Sequence, residues 1–103
     1  MITSLDELLA RHEGLYREFL RVPAMSAGLY VLPAGTADPQ SPHGQDEVYV
    51  VLAGRSGFEL AGQRSEVAAG SVLYVAAGQD HRFVEVAEDL SVVVLFAPAE
   101  QEL

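Results

Sequence analysis

The stretch "SPHGQDEVYVVLAG", residues 41–54, joins a polar cluster to a β-branched and aromatic run without a break. The cluster holds His43, one of three histidines in the chain, with Ser41, Gln45, Asp46 and Glu47 around it. In an extended backbone, side chains two residues apart share a face. His43, Gln45, Glu47, Tyr49 and Val51 have that parity, and in a small barrel their common face is the interior. An imidazole and a carboxylate there are costly unless they are paired or bound to a metal. Asp46 has the opposite parity and is expected to face out.

The surrounding sequence supports a barrel. Short apolar runs recur after Pro23: "AGLYVL", "EVYVVL", "GFELA", "SVLYVA", "HRFVEV" and "LSVVVLFA". Glycine-containing turn segments such as "PAGTADPQSP", "LAGRSG", "LAGQRS", "VAAG" and "AAGQD" separate most of them. Each run has strand length and none suits a typical helix, which predicts an all-β barrel or sandwich. "AGRSG" and "AGQRS" read as hairpin turns. "SVVVLFA" is apolar on both faces, so it is expected to be central or to bury its outer face in a partner. Ahead of the strands, "TSLDELLARHEG" reads as a short helix over about residues 4–13. Ser4 and Glu7 have capping-box spacing, Gly14 is the stop, and Leu5, Leu8 and Leu9 form an apolar stripe. His12 falls in its last turn, where an imidazole is ordinary capping, and is assigned no function.

A second polar cluster opens "HRFVEV". His81 follows a glycine turn, with Phe83 and Glu85 on its face by parity. Two histidines and a glutamate, each at a strand start, can meet inside a barrel. Neutral imidazole with carboxylate suits Fe(II), Mn, Zn or Ni.

Here the chain resembles the cupins. Their first motif is written G-x5-H-x-H-x(3 or 4)-E-x6-G, and Gly35, Ser41, His43, Glu47 and Gly54 keep its register. The second, G-x5-P-x-G-x2-H-x3-N, is matched in spacing by Gly70, Ala76, Gly78, His81 and Glu85. The resemblance implies a double-stranded β-helix (jelly-roll) barrel, with His43, Glu47 and His81 as three of the family's four metal ligands. Ser41 stands where the first metal histidine belongs, Ala76 replaces the proline and Glu85 the asparagine. Ser41 itself, Gln45 or Gln40 could offer the fourth donor, or water could fill the place. Tyr49, Phe83 and Tyr30 are expected to line the pocket, with Tyr74 as core or pocket wall. Glu85 is expected to be a surface acid at a strand end.

Composition narrows the function classes. At 103 residues the chain is expected to be one domain, 1–103, with its barrel core over about 26–98. The absence of cysteine excludes disulfides and thiolate metal sites. A formal charge of −9 disfavours nucleic acid and anionic membrane as partners. The N-terminus has no basic leader, and the expected location is the cytoplasm. The reading is a metal-binding cupin that handles a small organic molecule, of dioxygenase, isomerase or lyase type. The alternative is a metal-free binding or sensing module. A homodimer is expected, because one face of "SVVVLFA" (Val92, Val94 and Phe96, or their alternates) must be covered outside the barrel.

Overall fold

A computed structural model describes residues 1–39 and 42–100. Ser41 and Gln40, two of the candidate fourth ligands, therefore lie outside the described residues. The elements are α1 (Leu5–Arg11), β1 (Tyr16–Val22), β2 (Met25–Leu32), β3 (Asp46–Leu60), β4 (Gln63–Ala68), β5 (Val72–Val75) and β6 (His81–Ala97). All pairings described are antiparallel, in the order β1-β2-β6-β3-β4, and β5 pairs with β3. The expected all-β jelly roll with one short N-terminal helix is what forms.

Two long strands create the barrel. Along the β3–β6 ribbon, Glu47 pairs with Phe96 at one end and Leu60 with His81 at the other. Yet the Glu47 carboxylate and His81 imidazole lie 3.0 Å apart. The ribbon is rolled over so that its two ends meet. The roll has a local cause: the β3–β6 register shifts three times between Val51 and Gly57. Gly54 sits among these shifts at φ +95, where an added Cβ would lie 2.3 Å from the Asp89 carbonyl oxygen. Only glycine admits both that dihedral and that approach.

This bend corrects one expectation. "AGRSG" is not a hairpin turn; Gly54 and Gly57 lie within β3, and the strand bends there instead of reversing. "HRFVEV" and "LSVVVLFA" likewise join into β6. "AGQRS" does turn, with Ala61 and Gly62 between β3 and β4. Parity also changes partway along β6. His81 and Phe83 are buried, but Glu85 adopts φ +50 and is exposed, and Val86 takes the inward place. Glu85 therefore does not share the His81 face; it pairs with Arg64 on the outside, the surface role expected of it.

The inner face of β3 follows the opening parity. Glu47, Tyr49 and Val51 are each at most 1% exposed. Val92, Val94 and Phe96 oppose them on β6 and are buried too, so β6 is a central strand with Val93 and Leu95 turned outward. Beneath the site, Tyr49, Phe58 and Phe83 pack edge-on or tilted at 4.9–5.9 Å between centroids. Such pairs add about 1 kcal/mol each beyond burial.

The chain ahead of Pro23 departs most from expectation. "YREFLRV" is strand β1, paired on β2 alone. Its three charges, Arg17, Glu18 and Arg21, suit an exposed edge. Helix α1 is capped as expected, the Ser4 hydroxyl accepting from Glu7 N at 3.2 Å. It ends at Arg11, with His12 as its C-cap, and buries none of its residues fully. Leu5 and Leu9 are exposed; only Leu8 shares a groove with Phe19 and Leu29.

Candidate metal centre

Three side chains converge where the rolled ribbon closes. His43 comes from the β2–β3 loop, Glu47 from the start of β3 and His81 from the start of β6. Each offers one donor atom, and the three atoms lie within 4.8 Å of one another. Glu47 Oε2 is 3.0 Å from His81 Nε2, and Glu47 Oε1 is 3.4 Å from His43 Nε2. Donors about 2.1 Å from a shared metal sit roughly 3 to 4 Å apart, so the cluster is nearly at coordination spacing.

The loop carrying His43 is held by the main chain, its carbonyl accepting from Gly78 N at 2.7 Å. This bond ties the His43 loop to the turn ahead of His81, and the two ring centroids lie 6.0 Å apart.

The Glu47 carboxylate is unevenly satisfied. Oε2 accepts from the Tyr49 hydroxyl at 3.2 Å and faces His81. Oε1 is buried and has no hydrogen bond among the described residues; the 3.4 Å approach of His43 Nε2 is a contact without bonding geometry. A buried carboxylate oxygen left without a donor is expensive, and a cation between the three residues removes that cost. The donor set of two imidazoles and one carboxylate fits a divalent transition metal.

The histidines are oriented for ligation. His81 Nδ1 lies 2.9 Å from the Gln79 carbonyl, which can only accept, so Nδ1 carries the proton and Nε2 turns toward Glu47. Burial alone would depress the His81 pKa, but hydrogen bonds to Glu47 and the Gln79 carbonyl outweigh it and hold it above the ordinary imidazole value. His43 Nδ1 lies 3.1 Å from Glu100 Oε2. Burial likewise pushes the Glu100 carboxyl up, against the pull of His43.

A pocket of about 340 Å3 opens beside His43. Leu15, Tyr16, Tyr30, Val94 and Phe96 form most of its wall, and the His43 imidazole and Glu100 carboxyl also line it. Gly28 makes room for the Tyr16 ring: a Cβ there would lie 2.2 Å from it. The Tyr16 hydroxyl is buried and has no hydrogen-bond partner among the described residues. Burial, then Glu100, raises its pKa, so it stays protonated and free to donate.

Expected site residues divide as follows. His43, Glu47 and His81 come together, and Tyr30 lines the pocket. Tyr49 and Phe83 do not line that pocket; they are buried beneath it, where Tyr49 reaches Glu47 and also His81 at 3.1 Å. Tyr74 is neither core nor pocket wall: its register on Val48 turns it outward, 57% exposed. Asp46 faces out as expected, accepting from Ala77 N at 2.8 Å, and Gln45 is half-buried just ahead of β3. Tyr16, Asp38 and Glu100 had no signal in the motifs, since each reaches the site through tertiary contacts.

An antiparallel jelly roll with a His–Glu–His cluster at its closure defines a class of protein with a metal-ready barrel. The cupin-domain family model matches residues 28–98, and the chain belongs to the cupin family. It is 50% identical over 99 residues to the uncharacterized protein SCO3923 of Streptomyces coelicolor, covering 93% of this chain and 94% of that one. Among solved structures, BH2720 from Bacillus halodurans aligns with a TM-score of 0.86 at 16% identity, covering 99% of this chain and 83% of that chain. The DMSP lyase DddQ from Ruegeria pomeroyi aligns with a TM-score of 0.69 at 23% identity. That alignment covers 74% of this chain but only 39% of the lyase. At these identities the structural matches carry the fold alone.

Proposed function

We propose that the protein binds a divalent metal through His43, Glu47 and His81 and handles a small organic molecule in the adjoining pocket. The observation that carries this reading is the buried Oε1 of Glu47, without a hydrogen bond among the described residues, on a carboxylate that faces two imidazoles whose Nδ1 atoms turn to Glu100 and the Gln79 carbonyl. A bound ion supplies Lewis acidity to a ligand in the pocket. The chain's own residues do the rest. The apolar wall of Leu15, Val94 and Phe96 takes the body of the ligand, and the Glu100 carboxyl lines the same pocket. Whether turnover follows is a separate matter from binding, since one fold hosts many reactions. The metal reading is tested by elemental analysis of protein prepared without chelator or histidine tag. Near-stoichiometric Fe, Mn, Zn or Ni is expected, and protein that neither retains nor takes up metal favours the metal-free binding module.

Ser41 occupies the position of the family's first metal histidine. Ser41→His is therefore expected to tighten metal binding and to raise the melting temperature in the presence of metal. An unchanged affinity means that residue 41 does not face the metal.

The partner proposed for the outer surface is a second copy. Cross-strand register sets Tyr74, Val48 and Leu95 in one outward row and Val72, Val50 and Val93 in the next. Val72 is 68% exposed, and the patch carries no charge. The second row continues to Leu29, which is 1% exposed and shares its groove with Leu8 of α1, so the helix serves only the far end. A two-fold axis would lay two such faces together. Light scattering at micromolar concentration is expected to give twice the chain mass, and Val72→Asp with Tyr74→Asp to give the chain mass alone. A wild-type monomer overturns the proposal.

A further inference from the structure

The last described residue of the chain sits at the site. Beyond β6 the backbone crosses to the start of β2, where Glu100 N donates to Ser26 Oγ at 2.8 Å. Ser26 is fully buried, so this bond fixes the segment against β2. It brings Glu100 to the pocket wall and its Oε2 to 3.1 Å from His43 Nδ1. The opposite nitrogen, Nε2, faces Glu47 at 3.4 Å. The His43 ring stands edge-on to Phe96 at 5.1 Å, which limits its tilt but cannot choose between its two nitrogens.

A neutral imidazole carries one proton, and the hydrogen bond made by one nitrogen decides which atom is left to ligate. For His81 that choice is made by the Gln79 carbonyl. His43 has a carboxylate in the corresponding place. We infer that Glu100 is a positioning residue of the metal centre: it accepts the Nδ1 proton of His43 and so leaves Nε2 bare toward Glu47 and His81. The inference rests on the metal reading above. Carboxylate partners of this kind hold ligating histidines in orientation and raise their basicity.

The test uses Co(II) as the metal and the full chain. Cobalt titrations followed by visible absorption give affinity for wild type, Glu100→Ala and Glu100→Gln. Nitrogen-15 NMR of the metal-free proteins, at a pH above the imidazole range, reads the His43 tautomer. Wild type is expected to show the Nδ1–H form. Glu100→Ala is expected to shift it toward Nε2–H and to weaken cobalt binding about tenfold to hundredfold, with the metal-free melting temperature unchanged. Glu100→Gln keeps an acceptor and should retain the Nδ1–H form with most of the affinity. An unchanged tautomer, or an affinity within about twofold of wild type, in Glu100→Ala overturns the role. If wild type takes up no cobalt, it is the metal reading that fails, and the tautomer measurement still reports whether Glu100 holds His43.

Discussion

His81→Ala is expected to lower metal affinity by roughly two orders of magnitude or more, since even the loss of an outer hydrogen-bond partner costs about tenfold to hundredfold. His81 supplies one of three donors, with His43 and Glu47, and no described neighbour offers another imidazole at that position. The same substitution acts on the metal-free protein. Glu47 is 1% exposed, and His81 is its nearest cationic partner, at 3.0 Å. Stranding a buried carboxylate costs about 3 kcal/mol, unless it takes up a proton instead. Because the His81 pKa is raised on folding, its protonated form stabilises the metal-free protein below the ordinary imidazole range. That contribution is lost as pH rises through the raised value. Urea unfolding of wild type and variant should therefore differ most on the acid side of neutrality and converge at higher pH. Metal titration of His12→Ala is the control, since His12 caps α1 away from the cluster, and it should match wild type. Equal metal affinity in wild type and His81→Ala would remove the site.

The parts of this site that follow strand parity were legible in the sequence. Glu47, Tyr49 and Val51 point inward because alternation is a property of the backbone, and the glycine spacings place His43 in the loop just ahead of β3 and His81 at the start of β6. Parity failed where the backbone departs from extended geometry. Glu85, at φ +50, breaks the alternation that Phe83 obeys, and an alternating pattern cannot reveal a bulge beforehand. Gly54 misled in the opposite direction. A glycine between apolar runs reads as a turn, but here it permits a close approach to Asp89 inside a continuous strand.

Pairing across the sheet was less legible. Strand β1 is not legible because a register shift between Glu18 and Leu20 breaks its alternation, and a charged edge strand buries few side chains. Tyr74 reads as core or pocket wall in the sequence; only its register against Val48 shows that it faces out. Glu100 and Tyr16 come from opposite ends of the chain, and what unites them is their shared pocket wall. Local sequence carries no trace of such a meeting.

Asp38→Ala is expected to destabilise the fold by about 3 kcal/mol and to weaken metal binding with it. Asp38 lies in the loop between β2 and β3 and is 7% exposed. Its Oδ1 accepts from the Tyr30 hydroxyl at 2.6 Å, and its Oδ2 accepts from the Phe83 backbone N–H at 2.8 Å. One carboxylate therefore ties the loop that carries His43 to β2 on one side and to β6, two residues beyond His81, on the other. Alanine leaves a hydroxyl and an amide without their acceptor, each worth about 1 to 3 kcal/mol when buried. The loop then loses its registration on β6, and the distance from His43 to His81 is no longer fixed. Asp38→Asn separates charge from geometry. Its amide oxygen can still accept from Phe83 N, and its NH2 can donate to the Tyr30 oxygen. The expected cost falls to about 1 kcal/mol, one ordinary hydrogen bond. Urea midpoints for the two variants, with cobalt titration of each, provide the measurement. If Asp38→Ala unfolds at the wild-type midpoint, the loop is held by other contacts and the tether has no energetic role. If both variants are equally destabilised, the negative charge matters more than the two hydrogen bonds.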